Sequence, residues 1–285
     1  MRNLIIKFKR NMLLIFNKVG LDLATFSEDF IYEKWRSPIE LIYKSNKRRI
    51  LIQVPVRDIR FLGPHGFNAG VNSNAPFVST VKEYVDGTAK DYKKSSLCSF
   101  YSTFQPKSIS KYLYLDEAKN DILNKLPASG VFLPWEDEDP VIKIDKRARQ
   151  VEDDNKEHKA DLMISEGDPF YGPVSFEKGK LEYNRLINVY KSIAENGFKV
   201  DLKGNNNISA IILENNNRYR YFITAGQHRI AALSVLNYDF IPLQVFTGLI
   251  VRRSEVKFWP GVIKEYFTES EALTVFDDIF TGRDR

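Results

Sequence analysis

The chain has 285 residues, of which 43% are hydrophobic and 13% aromatic, so it is long and apolar enough for a folded globule of up to two domains. Its single cysteine, Cys98, excludes an internal disulfide framework and fits a reducing, cytoplasmic compartment, while its three scattered histidines argue against a zinc cluster. No apolar run of about 18 residues occurs, so no transmembrane helix is expected.

The formal net charge of +5 comes entirely from residues 1–21, which contain five basic residues and no acidic residue. The remainder is electrically balanced, which argues against nucleic acid as a partner, because such proteins carry a basic surface on the folded domain. The apolar residues of 1–21 share one broad helical face, which predicts an amphipathic helix resting peripherally on anionic membrane lipid. A helix docked on its own domain is the alternative that we favour, because Arg2 and Lys9 interrupt the apolar side.

The first half of the chain predicts an accessory α+β region over residues 1–150. The stretch 50–56 is rich in β-branched residues and predicts a strand. The stretch 63–76 is rich in glycine and asparagine, which is typical of a loop. The remaining predicted elements of this half are helices around 76–86 and 115–125 and an irregular connection at 127–140.

Residues 143–161 are almost all charged or polar. This composition predicts a domain boundary or an exposed linker, and a long solvated helix is an equally good interpretation. We therefore place the second domain at residues 151–285.

The second half has a more regular pattern. Residues 180–196 predict a helix that ends at Gly197, since glycine readily adopts the conformation that terminates a helix. The further predicted elements are strands at 208–213 and 218–223 joined by a turn at 215–217, a helix from 227, a strand at 241–246, and helices at 252–267 and 269–280.

Residues 221–233, YFITAGQHRIAAL, predict a buried strand, a tight loop and then a helix. Gly226 lets backbone N–H groups converge at the junction, and the first helical turn adds unpaired donors and a partial positive charge. Such a junction binds anions, and His228 and Arg229 add side chains suited to phosphate. The alternative for His228 is a histidine packed in the core, and the alternative for Arg229 is a surface ion pair. Thr224 either donates its hydroxyl to phosphate or satisfies the loop backbone.

The order of elements in this half resembles the ParB/sulfiredoxin fold. The hallmark of that fold is a helix ending in a Ser-Ile-x-x-x-Gly-like turn, a hairpin, a Gly-x-His-Arg box that opens a short helix, and a strand. The match covers roughly residues 160–250, and the whole chain is also similar to uncharacterised ParB-like proteins of bacterial surface-polysaccharide gene clusters. The matching residues are Ser192-Ile193-Ala194-Glu195-Asn196-Gly197, the hairpin at 208–223, Gly226-Gln227-His228-Arg229, and Ile241-Pro242-Leu243-Gln244-Val245.

Members of the superfamily hold nucleotide phosphates with this box, and they include DNA-partition proteins, sulfiredoxins and small-molecule kinases. The resemblance thus implies nucleotide binding by Gly226 to Arg229. Gln227 stands where sulfiredoxins carry their catalytic cysteine, which excludes that activity. Too few residues follow Ile250 for the helix-turn-helix domain of a partition protein. Ala225 replaces the acidic residue of many kinase-like members, so no magnesium ligand is implied there.

A phosphoryl transfer needs a carboxylate that orients an acceptor hydroxyl or a magnesium ion. Glu182, on one helical face with Arg185, is the first candidate, and a surface ion pair is its alternative. Asp168, in a glycine-containing loop, is the second candidate, and turn formation is its alternative. Lys203 either reaches a phosphate or is solvated, and the acidic run 136–139 either binds a cation or is solvated.

Together these patterns predict an α/β (α+β) protein in which a ParB/sulfiredoxin-like nucleotide-binding domain follows an accessory region that shapes the pocket. The predicted function is an ATP-dependent phosphotransferase, or kinase, that acts on a hydroxyl of a small metabolite or sugar in surface-polysaccharide biosynthesis, with Mg²⁺ bridging the phosphates. The alternative is a non-catalytic nucleotide-binding regulatory module of such a system, and a ParB-like nucleic-acid-associated protein comes third. The choice between ATP and CTP stays open.

Overall fold

The computed structural model describes residues 31–32, 37–45, 49–115, 117–200 and 207–283. The predicted helix at 1–21 and Lys203 lie outside these residues, so both stay predictions. The strands are β1 Ile31–Tyr32, β2 Arg49–Pro55, β3 Ile59–Phe61, β4 Phe67–Asn68, β5 Ser209–Asn215, β6 Arg218–Ala225 and β7 Phe240–Arg252. The helices are α1 Pro38–Ser45, α2 Pro76–Asp86, α3 Ser96–Thr103, α4 Ile109–Tyr112, α5 Asp121–Lys125, α6 Pro140–Glu157, α7 Phe176–Asn196, α8 Gln227–Val235, α9 Pro260–Ile263 and α10 Glu269–Thr281.

Within the described residues the strands form one mixed sheet in the order β1-β2-β7-β5-β6-β3-β4. The strands β5 and β6 form an antiparallel hairpin. Its turn places Asn216 and Asn217 at positive φ, a conformation that asparagine tolerates better than most residues. β7 runs antiparallel to β2 and parallel to β5, and β6 runs parallel to β3. The coarse prediction of an α+β fold is therefore confirmed.

Both faces of the sheet are covered, because successive side chains of a strand point to opposite faces. On β5 and β6, Ile212 and Ile223 join a core that includes residues of α2, α3, α7 and α8. Their neighbours Leu213 and Phe222 join a second core that includes residues of α10. The hairpin is thus held from both sides, which fixes the position of the β6–α8 junction.

Several predicted elements are confirmed, and two helices are wrong in extent. The strand at 50–56, the helix at 76–86, the hairpin and the helix from 227 match β2, α2, β5–β6 and α8. The predicted helix 252–267 is instead a 3-10 helix, Arg253–Phe258, followed by the short α9, because Pro260 lacks the N–H that would continue a helix. The predicted helix 115–125 begins only at α5, where the Asn120 side chain accepts a hydrogen bond from the Ile122 N–H at 2.8 Å.

The polar segment 143–161 lies largely in α6, so its helical interpretation is the one that the structure supports. Pro140 occupies the first helical turn, and the Asp139 side chain accepts hydrogen bonds from the N–H groups of Val141 and Ile142. The division of the chain after residue 150 stays a prediction, and the sheet takes strands from both sides of it. In the described part of the chain, no helix is both long and apolar enough to span a membrane.

Candidate functional site

A polar cleft of about 850 Å³ lies at the β6–α8 junction. Its size is within the range of small-molecule pockets. Three segments that are distant in sequence contribute its polar lining, so the cleft depends on the tertiary fold. The polar lining comprises Arg147, Gln150, Asp154, Glu157 and His158 on or just after α6, Glu182, Arg185, Asn188 and Ser192 on α7, and Thr224 to Arg229 at the junction.

The first turn of α8 opens into this cleft. Gly226 is its N-terminal cap, with φ of +96°, and no side chain caps the helix. The first hydrogen bond within the helix runs from the Ile230 N–H to the Gly226 carbonyl, at 3.0 Å. The preceding N–H groups lie at the positive end of the helix dipole. A side chain at 226 would contact Ile208 at 3.1 Å and adopt an unfavourable φ, so glycine keeps this approach open.

The residues of the box have different roles in this geometry. The Arg229 guanidinium folds back over the helix start, 3.3 Å from the position that a Cβ at 226 would take, and burial lowers its pKa. Thr224 is exposed at the end of β6. Gln227 is engaged at both ends of its side chain: it accepts from the Leu62 N–H at 2.8 Å and donates to the Ile223 carbonyl at 3.0 Å. Gln227 therefore offers a ligand its backbone N–H rather than its amide.

His228 packs like a core residue and also lines the cleft. Its ring stacks on Phe77, with centroids 5.0 Å apart and planes at 17°. The His228 Nε2 atom lies 3.6 Å from a carboxylate oxygen of Glu182 and makes no hydrogen bond to a described residue. Burial lowers the pKa of His228 to about 4, although the Glu182 charge acts in the opposite direction. The ring is therefore neutral at neutral pH and offers one donor and one acceptor rather than a charge.

Glu182, the first candidate base, is fully buried at the floor of the cleft. Its carboxylate accepts from the Lys178 ammonium at 2.7 Å and from the Arg185 guanidinium at 2.9 Å. Burial opposes ionisation of Glu182, but the charges of Arg185 and Lys178 outweigh it and hold the pKa of the carboxyl below its usual range. A carboxylate in this state is a weak proton acceptor. Its role as a base stays a prediction, and its role in an ion-pair network is evident from the geometry.

Arg185 connects that network to α6. Its guanidinium donates to both carboxylate oxygens of Asp154, at 2.6 and 3.0 Å. Its Nε–H group is buried and has no partner among the described residues. A buried donor without a partner is uncommon in folded proteins and marks a place where a polar ligand or water can bind.

Asp168, the second candidate base, does not line the main cleft. Arg147 donates two hydrogen bonds to its carboxylate, at 2.6 and 2.8 Å, and the Phe170 N–H donates a third at 2.9 Å. The Phe170 contact is the turn interaction predicted as the alternative role. Asp168 instead lines a smaller cavity next to the cleft, and Arg147 contributes to both spaces.

The carboxylates of the cleft do not fit a metal site of their own. No three histidine, cysteine, aspartate or glutamate side chains converge on one point within the described residues. Asp154 and Glu182, which face the cleft, are both bound to Arg185. The acidic run 136–139 is likewise occupied, because Glu136, Asp137 and Glu138 pair with lysines and Asp139 caps α6. Of the two interpretations of the run 136–139, cation binding is therefore not supported.

The structure brings Glu182, Thr224 and the box from Gly226 to Arg229 to one cleft, and it places Asp168 beside it. The wall contributed by α6 was not predicted from the sequence. A sequence pattern could have indicated this wall, because residues 147, 150, 151, 154 and 158 are spaced so that they share one face of a helix. Comparison with protein-family models, with curated proteins and with solved structures found no match.

Proposed function

We propose that this protein binds a nucleotide in the cleft and transfers its terminal phosphoryl group to a hydroxyl of a small metabolite or sugar. The observation that carries the proposal is the uncapped first turn of α8, which opens into a cleft of about 850 Å³ beside Arg229. A helix N-terminus with a guanidinium beside it matches the charge and the donor needs of a phosphate chain.

The order of elements around the cleft supports the proposed relationship to ParB/sulfiredoxin proteins. The helix α7 ends at Gly197, whose φ is +69°. The hairpin β5–β6, the box at the start of α8 and the strand β7 follow in the order that the resemblance requires. In that family the box holds nucleotide phosphates, and the same residues here line the cleft.

Phosphoryl transfer depends mainly on positioning and on electrostatic stabilisation of the phosphoryl oxygens. In our proposal the first-turn N–H groups of α8 and Arg229 hold the phosphates, and Thr224 and His228 add hydrogen bonds. The acceptor oxygen forms a bond to phosphorus while the phosphorus–oxygen bond to the departing nucleotide breaks, and the proton of the acceptor hydroxyl passes to solvent. Since the described residues of the cleft form no metal site of their own, magnesium enters this proposal only as an ion carried by the phosphates.

The direct test is the affinity of an Arg229→Ala variant for nucleotides. We expect the loss of its charge-assisted contacts to weaken binding by about 2 kcal/mol, or roughly 30-fold. Calorimetric titration with ATP, ADP and CTP, with and without magnesium, measures this change and identifies the nucleotide. The matched control is Arg218→Ala, because Arg218 is an exposed arginine at the start of β6, away from the cleft. Equal affinity for wild type and a folded Arg229→Ala variant would remove the central claim.

One observation favours a second candidate, a nucleotide-binding regulatory module without catalysis. Both carboxylates predicted as bases, Glu182 and Asp168, already accept hydrogen bonds from arginine. Incubation of wild type with labelled ATP and a panel of sugars and amino acids separates the two candidates. Transfer of label to an acceptor supports the kinase, whereas nucleotide binding without transfer to any acceptor supports the regulatory module.

A further inference from the structure

A second cavity of about 310 Å³ adjoins the main cleft. The two spaces share Arg147, Gln150, Phe170, Thr224 and Gln227 in their walls. Thr224 and Gln227 flank Gly226, so the second cavity, which we name the side pocket, reaches the same junction that opens onto the α8 N-terminus. A molecule in the side pocket would therefore lie next to phosphates held at that helix.

Two tyrosines give the side pocket its hydrogen-bonding capacity. Tyr112 and Tyr171 line it together, with ring centroids 5.0 Å apart and planes at 57°. Tyr112 is only 2% exposed. Neither hydroxyl donates or accepts a hydrogen bond with another described residue. Tyr171 is half-buried, and neither hydroxyl is among the fully buried unpaired polar atoms, so both remain accessible to a polar ligand in the side pocket.

The charged groups of the side pocket are balanced in pairs. The three ion pairs link one acid each to one base each, so the described residues of the wall carry no surplus charge to attract a carboxylate or an ammonium group. Charged ligands would have to break one of these pairs. The pairs are Glu136–Lys143 at 2.7 Å, Glu138–Lys146 at 3.1 Å and Asp168–Arg147 at 2.6 Å.

We propose that the side pocket binds a neutral, polyhydroxylated acceptor of monosaccharide size. The volume suits one sugar ring, aromatic rings offer flat apolar surfaces, and the two tyrosine hydroxyls with the ion-pair side chains offer donors and acceptors to its hydroxyls. The role of this sugar as phosphoryl acceptor rests on the proposed function, because it needs a nucleotide phosphate at the α8 N-terminus. The sugar site itself rests on the walls of the side pocket alone.

The test fills the side pocket and leaves the main cleft unchanged. Ser129 lines the side pocket and does not line the main cleft, so Ser129→Phe places a ring in the sugar site while Ser129→Ala is the matched control. Saturation-transfer NMR with glucose, N-acetylglucosamine and free serine reports weak binding. We expect sugar signals with wild type and Ser129→Ala and their loss with Ser129→Phe. Tyr171→Phe, which removes only a hydroxyl, should weaken sugar binding roughly 5-fold or more.

The outcomes separate this inference from the proposed function. Absence of sugar signals, binding of serine in preference to sugars, or sugar binding that neither Ser129→Phe nor Tyr171→Phe changes would overturn the inference. If Ser129→Phe fails to fold, the effect of Tyr171→Phe on sugar binding tests the inference. Nucleotide titrations of the same samples report on the proposed function: sugar binding without nucleotide binding supports the side pocket and removes the kinase.

Discussion

Replacing Glu182 with glutamine is expected to lower the free energy of unfolding by about 3–5 kcal/mol. Glu182 and Lys178 are both fully buried and lie 2.7 Å apart. The substitution removes the negative charge and leaves the Lys178 ammonium with only neutral amide oxygens as partners, those of Asn155 and of the introduced glutamine. Burying a charge without its counter-charge is among the largest single costs in a protein. Urea unfolding followed by circular dichroism measures the change.

Two further variants show whether the effect comes from the uncompensated charge. Glu195→Gln changes an exposed glutamate on the same helix and should alter stability by no more than about 0.5 kcal/mol. Adding Lys178→Met to Glu182→Gln removes the stranded ammonium and should recover a large part of the loss. If the free energy of unfolding of Glu182→Gln lies within about 1 kcal/mol of the wild-type value, the proposed network is contradicted, because the carboxylate would then not stabilise the buried cations.

The same variant bears on catalysis. A carboxylate that acts only as a base affects turnover without a large effect on stability, whereas the geometry here assigns Glu182 to a network that joins α6 to α7 through Arg185 and Asp154. Residual transfer activity should therefore be measured at a temperature where the variant is still folded. Activity that falls in proportion to the folded fraction identifies a structural role, and a further loss of about tenfold identifies a role in the chemical step.

The β6–α8 junction was predictable because its signals are local. An apolar strand, a glycine and an amphipathic helix follow one another within 13 residues at 221–233, and neighbours in the chain determine most of that geometry. Gly226 at positive φ and the helix beginning at Gln227 agree with the pattern. The hairpin was predictable for the same reason, since consecutive strands joined by 215–217 pair with each other.

The environment of each site side chain was not predictable, because it depends on long-range packing. The spacing of Glu182 and Arg185 gives one helical face but cannot tell whether that face is solvated. Its burial depends on Asp154 of α6 and His228 of α8, which the fold brings to α7 from distant parts of the sequence. The charged composition of α6 indicated solvent exposure, yet part of its surface lines the cleft. A charge pattern thus predicted a helix better than it predicted what the helix contacts.

Acidification from about pH 6.5 to about pH 4 is expected to remove roughly 3 kcal/mol of stability through His65 alone. His65 is fully buried against the rings of Phe67, Phe104 and Tyr112. Its two ring nitrogens are both hydrogen bonded, one to the Tyr114 hydroxyl at 2.6 Å and the other to the Phe170 carbonyl at 3.0 Å. Burial lowers the pKa of His65 to about 4, although the bond to Phe170 acts in the opposite direction.

The sign follows from the protons that each state binds. Between about pH 6.5 and about pH 4 the unfolded chain holds a proton on residue 65 that the folded protein does not, so stability falls as pH falls. Urea unfolding of wild type and His65→Gln across this range isolates the contribution, because His228 and the carboxylates titrate in both proteins. The glutamine variant should be less stable at neutral pH and should have a shallower slope by up to about 1.4 kcal/mol per pH unit. Parallel stability curves for the two proteins would show that the pKa of His65 is the same in the folded and unfolded states, and that its buried environment is more polar than the surrounding rings imply.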